Sequence, residues 1–79
     1  MVIQVIKDKS GKTIFSQRLE DLRCRQRRSR VIVSELCGLP PDAIRRYERG
    51  EALPNVESLI AIADYFCVSI DYLVGRTNY

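Results

Sequence analysis

The sequence contains no histidine and no tryptophan, and it has only three cysteines. With no histidine, no paired acids on one helix face and no glycine-rich phosphate loop, acid–base and nucleophilic catalysis have no candidate residues. Cys24, Cys37 and Cys67 include no CxxC pair and have no histidine to complete a metal site. We therefore expect no enzyme, no metal and no cofactor, and we interpret the cysteines as reduced packing residues.

Long apolar runs are also missing. No stretch reaches the roughly 18 apolar residues of a membrane span, and the N-terminal MVIQVI is followed at once by KDKSGK, which does not fit a cleavable signal. We expect a cytoplasmic protein. Its 79 residues suffice for one small domain, and 46% hydrophobic residues are enough for a packed core.

Charge is distributed unevenly along the chain. Residues 18–49 contain nine arginines against five acids, a local net charge of +4, whereas residues 50–79 contain one arginine against four acids, a local net charge of −3. A basic segment joined to an acidic one suggests a face turned towards a polyanion, although a solvated arginine-rich surface would look the same.

Helix start and stop signals predict five short helices in an all-α domain. Thr13 can cap a first helix that runs to about residue 26, and Ser29 can cap a second one that Gly38 ends. A fourth helix follows Asn55, and Ser69 can cap a fifth. The predicted apolar face of the fourth helix consists of Val56, Leu59, Ile60, Ala63 and Phe66.

The third predicted helix has one charged face, and this face is the feature that indicates a function. Pro41 is tolerated at a first helical position and Gly50 ends the helix, which predicts a helix over about 41–49. At about 100° per residue, Ile44, Tyr47 and Glu48 point one way. The opposite face is polar and mostly cationic, and it consists of Asp42, Arg45, Arg46 and Arg49. Two short helices joined by a glycine-containing turn have the geometry of a helix-turn-helix, whose second helix enters the DNA major groove.

Four segments, FSQRLEDLR, SELCG, IRRYERGEALPNVESLIAIADYF and VSIDYLVGR, closely resemble helix-turn-helix regulators of the phage-repressor, Cro and xenobiotic-response-element (XRE) type. The resemblance covers about residues 14–76. It implies a compact five-helix lambda-repressor-like domain that binds double-stranded DNA, usually as a homodimer on a palindromic operator. Residues 1–13 form an extension in which an edge strand, half of a hairpin and a loose arm all remain open, and residues 77–79 form a tail.

At matching positions the resemblance implies base contacts by Pro41, Asp42 and Arg46, and phosphate contacts by Ser29 and Arg30. It also implies a structural ion pair between Arg23 and Glu48 that braces the third helix against the first. Three departures stand out. The family commonly has glutamine where Arg30 stands, charged residues where Val31 and Ile32 stand, and Gly, Asn or Asp where Cys67 stands. A positive φ at Cys67 would cost roughly 1 kcal/mol.

Two functions remain open. In the first, the protein is a sequence-specific transcriptional regulator, and we favour a repressor. Arg46 and Asp42 touch base edges, and phosphates are held by Arg27, Arg28, Arg30, Arg45 and Arg49. Dimerisation would use the fifth helix with Tyr72 and the tail, or the N-terminal segment. In the second, the fold is a protein-interaction module, such as an antitoxin or a partner of another regulator. Exposed Val31 and Ile32 would mark that surface, unless they tuck against a neighbouring helix or the N-terminal arm.

Overall fold

The computed structural model describes residues 12–79. Within them the chain forms five helices and no strand: α1 Ile14–Gln26, α2 Arg30–Leu36, α3 Ala43–Glu48, α4 Val56–Phe66 and α5 Ile70–Val74. The predicted all-α class and five-helix order are confirmed. The third helix is shorter than the predicted 41–49, because Pro41 and Asp42 form a turn and Arg49 is the C-cap. Most of the predicted N-terminal extension, residues 1–11, lies outside the described residues.

Side-chain caps explain where four of the helices begin. Thr13, Ser29, Asn55 and Ser69 each accept a hydrogen bond from a backbone N–H three residues later, at the first turn of α1, α2, α4 and α5. Such caps satisfy N–H groups that have no partner inside the helix. Asp42, which precedes α3, makes no such bond.

Two helices end at residues that are not glycine yet have a positive φ. Cys67 ends α4 and Arg27 ends α1, each with φ of 56°. A side chain in this left-handed region costs roughly 1 kcal/mol or more relative to ordinary backbone. The positive φ expected at Cys67 is therefore present, and the one at Arg27 was not foreseen.

The core draws residues from all five helices. Its buried members are Phe15, Leu19, Val33, Ile44, Ile62, Ala63 and Leu73. Two residues of the predicted apolar face of α4 do not reach it, because Val56 is 71% exposed and Ile60 is 43% exposed. Ile62 is fully buried instead. α4 has apolar residues on nearly every side, so its periodicity did not single out the packed face.

The first and last helices are tied together by one arginine. The guanidinium of Arg18 donates to the backbone carbonyls of Tyr72 and Thr77 and lies over the Tyr72 ring, 4.3 Å from its centroid. Arg18 also donates to the Asn78 side chain at 3.3 Å. The residues after α5 are thereby held against α1.

The cysteines are free thiols in three different settings. Cys37 is half-buried against the core, and burial raises the pKa of its thiol to about 11. Cys24 and Cys67 are exposed, so the interpretation as packing residues was wrong for these two. Among residues 12–79, no cluster of three or more histidine, cysteine or acidic side chains could hold a metal ion, and no helix is long and apolar enough to cross a membrane.

Candidate nucleic-acid interface

Buried serines on the two preceding helices hold both ends of α3. At its start, the backbone N–H of Ile44 donates to Ser34 Oγ of α2 at 3.1 Å. At its end, Ser16 Oγ of α1 donates to the Tyr47 carbonyl at 2.6 Å. Side chains of α1 and α2 thus form hydrogen bonds with backbone groups near the two ends of α3, which has no side-chain cap of its own at its start. Sequence reasoning missed both bonds because their partners lie 10 and 31 residues apart.

One side of α3 is anchored in the protein. Ile44 is fully buried in the core, and the Tyr47 ring meets the Phe15 ring edge-on at a centroid distance of 6.0 Å. Glu48 is only 1% exposed. Because these residues face inward, the cationic side of the helix faces outward, and Arg45, Arg46 and Arg49 are all exposed. The helical wheel predicted this division.

Glu48 receives two guanidinium groups. Arg23 binds it with two nitrogens, Nε to Oε2 at 2.6 Å and Nη2 to Oε1 at 3.1 Å, and Arg30 Nε binds Oε1 at 3.0 Å. The hydrogen bond to Glu48 is the main reason that the pKa of Arg23 lies above its ordinary value. Arg23 also donates to the Arg28 carbonyl at 2.9 Å. The site therefore ties α3 to α1, to α2 and to the turn between them.

The starts of α2 and α3 border an open groove of about 430 Å³. It is lined by Ser29, Arg30, Val31, Pro41, Asp42 and Arg45. Five of the nine residues predicted to contact DNA thus meet at one groove. Val31, for which sequence reasoning left open a partner surface or packing against a neighbouring helix or the N-terminal arm, also lines the groove. The remaining four, Arg27, Arg28, Arg46 and Arg49, are exposed outside this lining.

The arginines predicted to contact DNA differ in whether their side chains already form hydrogen bonds or ion pairs within the protein. Arg28 donates to the Tyr65 hydroxyl at 2.7 Å, and Arg49 pairs with Glu51 at 3.0 Å. Within residues 12–79, the side chains of Arg27, Arg45 and Arg46 make no hydrogen bond or ion pair. These three cations are the ones most readily available to an anionic ligand, because nothing in the described chain must be released first.

A short helix fixed on one side and cationic on the other, preceded by a second short helix across a glycine turn, defines a helix-turn-helix domain. The chain belongs to the helix-turn-helix family HTH_3, whose family model matches residues 19–73. The resemblance drawn from the sequence is confirmed.

Two curated relatives are transcription regulators. The chain is 35% identical over 62 residues to the transcriptional repressor RstR of the cryptic phage CTXphi of Vibrio cholerae, covering 78% of this chain and 55% of that protein. It is 33% identical over 61 residues to the HTH-type transcriptional activator BcrR of Enterococcus faecalis, covering 77% of this chain and 30% of that protein. The chain therefore spans about half, or less, of the length of these relatives.

Two solved structures share the fold. The P22 c2 repressor, crystallised in complex with a synthetic operator, superposes with a TM-score of 0.71 at 29% identity, covering 75% of this chain and 89% of that one. The solution structure of the SOS-response transcriptional repressor LexA from Eubacterium rectale gives a TM-score of 0.75 at 26% identity, covering 87% and 72%. Both neighbours are named as repressors.

Proposed function

We propose that this domain binds duplex DNA sequence-specifically in the cytoplasm, with α3 in the major groove, and that it regulates transcription as a repressor. The observation that carries the proposal is the one-sided anchoring of α3. Ile44, Tyr47 and Glu48 fix the helix, while the side chains of Arg45 and Arg46 make no hydrogen bond or ion pair within residues 12–79. A rigid helix with free cations on its outer side suits a groove between two phosphate backbones.

Residue roles follow from side-chain chemistry. Arg46 can donate two hydrogen bonds to guanine, Asp42 can accept from a cytosine amino group, and Pro41 offers only an apolar contact, such as one to a thymine methyl. Arg27 and Arg45 are the strongest candidates for phosphate contacts because both are unpaired within the described chain. Arg28, Arg30 and Arg49 would make further phosphate contacts from positions where a protein acceptor already holds them.

Repression and dimerisation are the finer parts of the proposal. RstR, the P22 c2 protein and LexA are all named repressors, whereas BcrR is named an activator, so the balance of relatives favours repression.

A twofold dimer would place two copies of α3 about 34 Å apart, one turn of DNA. Ile70 is exposed at the start of α5, two residues before Tyr72, which supports this helix as the contact. Light scattering that shows only monomers, with and without operator DNA, would contradict the dimer.

The proposal is tested by selecting bound fragments from random duplex DNA and then measuring affinity at several salt concentrations. Binding should weaken steeply with salt, because each phosphate contact releases counterions. Arg46→Ala should remove about 1–3 kcal/mol of discrimination at one base pair. Arg25→Ala is the matched control, since Arg25 pairs with Asp21 on α1 and lies outside the groove. Duplex binding that does not respond to salt would contradict the mechanism.

A protein-interaction module is the second candidate. Val31 is 49% exposed and Ile32 is 44% exposed, and no helix within residues 12–79 covers them. If Ile32 marks a partner surface, Ile32→Ser should abolish binding of that partner and leave DNA affinity unchanged, because Ile32 does not line the groove. If DNA is the ligand, Val31→Ser should weaken DNA binding more than Ile32→Ser does.

A further inference from the structure

Arg30 is the one groove-lining cation that is held by a buried carboxylate. Its Nε donates to Glu48 Oε1 at 3.0 Å, whereas its two terminal nitrogens have no partner within residues 12–79. The side chain is 46% exposed, and Glu48 is 1% exposed. One end of the guanidinium is thus fixed to the interior while the other end is open at the groove.

We infer that Glu48 is a positioning residue for Arg30, which it orients so that both terminal N–H groups meet one DNA phosphate in a fixed fork. The inference rests on the proposed function. It adds that Arg30 acts through its geometry as well as through its charge. A guanidinium is planar, and its donors point in set directions that match phosphate oxygens in pairs.

The charges around Glu48 favour such a contact. One carboxylate lies between the guanidiniums of Arg23 and Arg30, so the cluster keeps a net charge of +1. A phosphate that binds Arg30 offsets this excess without displacing Glu48, because it would use nitrogens that are free. A lysine at position 30 keeps the charge but carries its three donors on one atom. It therefore cannot hold Glu48 and present a two-nitrogen fork at the same time.

The experiment compares Arg30→Lys with Arg30→Gln on a mixed-sequence duplex of about 20 base pairs, since phosphate contacts do not depend on sequence. Arg30→Lys should weaken binding about fivefold to tenfold at every salt concentration and leave the slope of log K against log salt unchanged. Arg30→Gln should weaken binding at least as much and reduce the magnitude of the slope by about 0.9. Arg25→Lys, at an arginine that is also paired with a carboxylate, should bind like the wild type.

Glu48→Gln supplies an independent readout. If Glu48 orients Arg30, Arg30→Lys should lower DNA affinity by less than about twofold in the Glu48→Gln background. Thermal unfolding verifies that this background is folded. If the Glu48→Gln protein does not fold, the DNA affinity of the single variant Arg30→Lys tests the inference. An Arg30→Lys protein that binds as tightly as the wild type would overturn the inference and leave the proposed function intact. A wild-type protein that binds no duplex DNA at low salt would overturn both.

Discussion

Removal of one buried hydroxyl should loosen the start of α3. Ser34→Ala deletes the acceptor of the Ile44 N–H, and the turn before α3 offers no replacement, because Asp42 makes no side-chain cap. Both Ser34 and Ile44 are fully buried, so water cannot satisfy the N–H without opening the core. An unsatisfied buried donor costs about 1–3 kcal/mol. In a domain of this size that lowers the Tm by about 4–8 °C for each kcal/mol.

Ser16→Ala provides an informative comparison at the other end of α3. The bond from Ser16 Oγ to the Tyr47 carbonyl is shorter, 2.6 Å against 3.1 Å, and distance alone would rank it as the more important. The Tyr47 carbonyl, however, also accepts from the Gly50 N–H at 3.2 Å, so it keeps a partner when the hydroxyl is removed. We therefore expect Ser16→Ala to cost about 1 kcal/mol or less, which is below the cost of Ser34→Ala.

Both effects can be measured by urea unfolding at equilibrium, followed by circular dichroism. Ser58→Ala is the control, because Ser58 lies on α4 and its hydroxyl makes no hydrogen bond within residues 12–79. Its free energy of unfolding should stay within about 0.5 kcal/mol of the wild type. If Ser34→Ala were as stable as the wild type, or if Ser16→Ala were the more damaging change, the reasoning from unsatisfied groups would be refuted.

Three further predictions concern the two strained caps, Cys67 and Arg27, and the half-buried thiol of Cys37. Cys67→Gly should raise the free energy of unfolding by about 0.5–1 kcal/mol, because glycine adopts a φ of 56° without strain; a loss of stability in urea unfolding would contradict this. Arg27→Gly should stabilise the fold for the same reason yet weaken DNA binding and lower the salt slope by about 0.9, and an unchanged slope would remove Arg27 from the phosphate contacts. The pKa of Cys37 is raised from 9.0 to about 11, so the folded protein keeps that proton where the unfolded chain loses it. Stability should therefore fall between pH 9 and 11, and fall less in Cys37→Ala, as thermal unfolding at each pH can show.

Local signals in the sequence were sufficient to predict the helices. Contacts between residues far apart in the chain could not be predicted from the sequence. Thr13, Ser29, Asn55 and Ser69 cap helices within three residues of themselves, so residue type and spacing reveal them. The same reasoning predicted the outward face of α3, because the step of about 100° per residue decides which side chains share a face even though the predicted bounds were too wide.

The contacts that fix the site depend on residues far apart in the chain. The bonds of Ser34 and Ser16 to α3 could not be predicted from spacing, since any buried hydroxyl could serve. The pairing of Arg30 with Glu48 was missed for the same reason, although a cation at that position was recognised as unusual. On α4, Ile60 and Ile62 are equally apolar, and only the packing of neighbouring helices decides which one is buried.

Because one side of α3 is buried and the other is exposed, substitutions on the two sides have different consequences. The side chains of Arg45 and Arg46 make no hydrogen bond or ion pair within residues 12–79, so substituting them should cost folding little. Under the proposed function, a change at Arg46 alters the preferred base, and a change at Arg45 weakens phosphate binding on every sequence. Ile44 and Glu48 are buried, so changing either of them disturbs the folded domain itself. If α3 binds DNA as proposed, the preferred base can therefore change through Arg46 while the buried side of the helix stays constant.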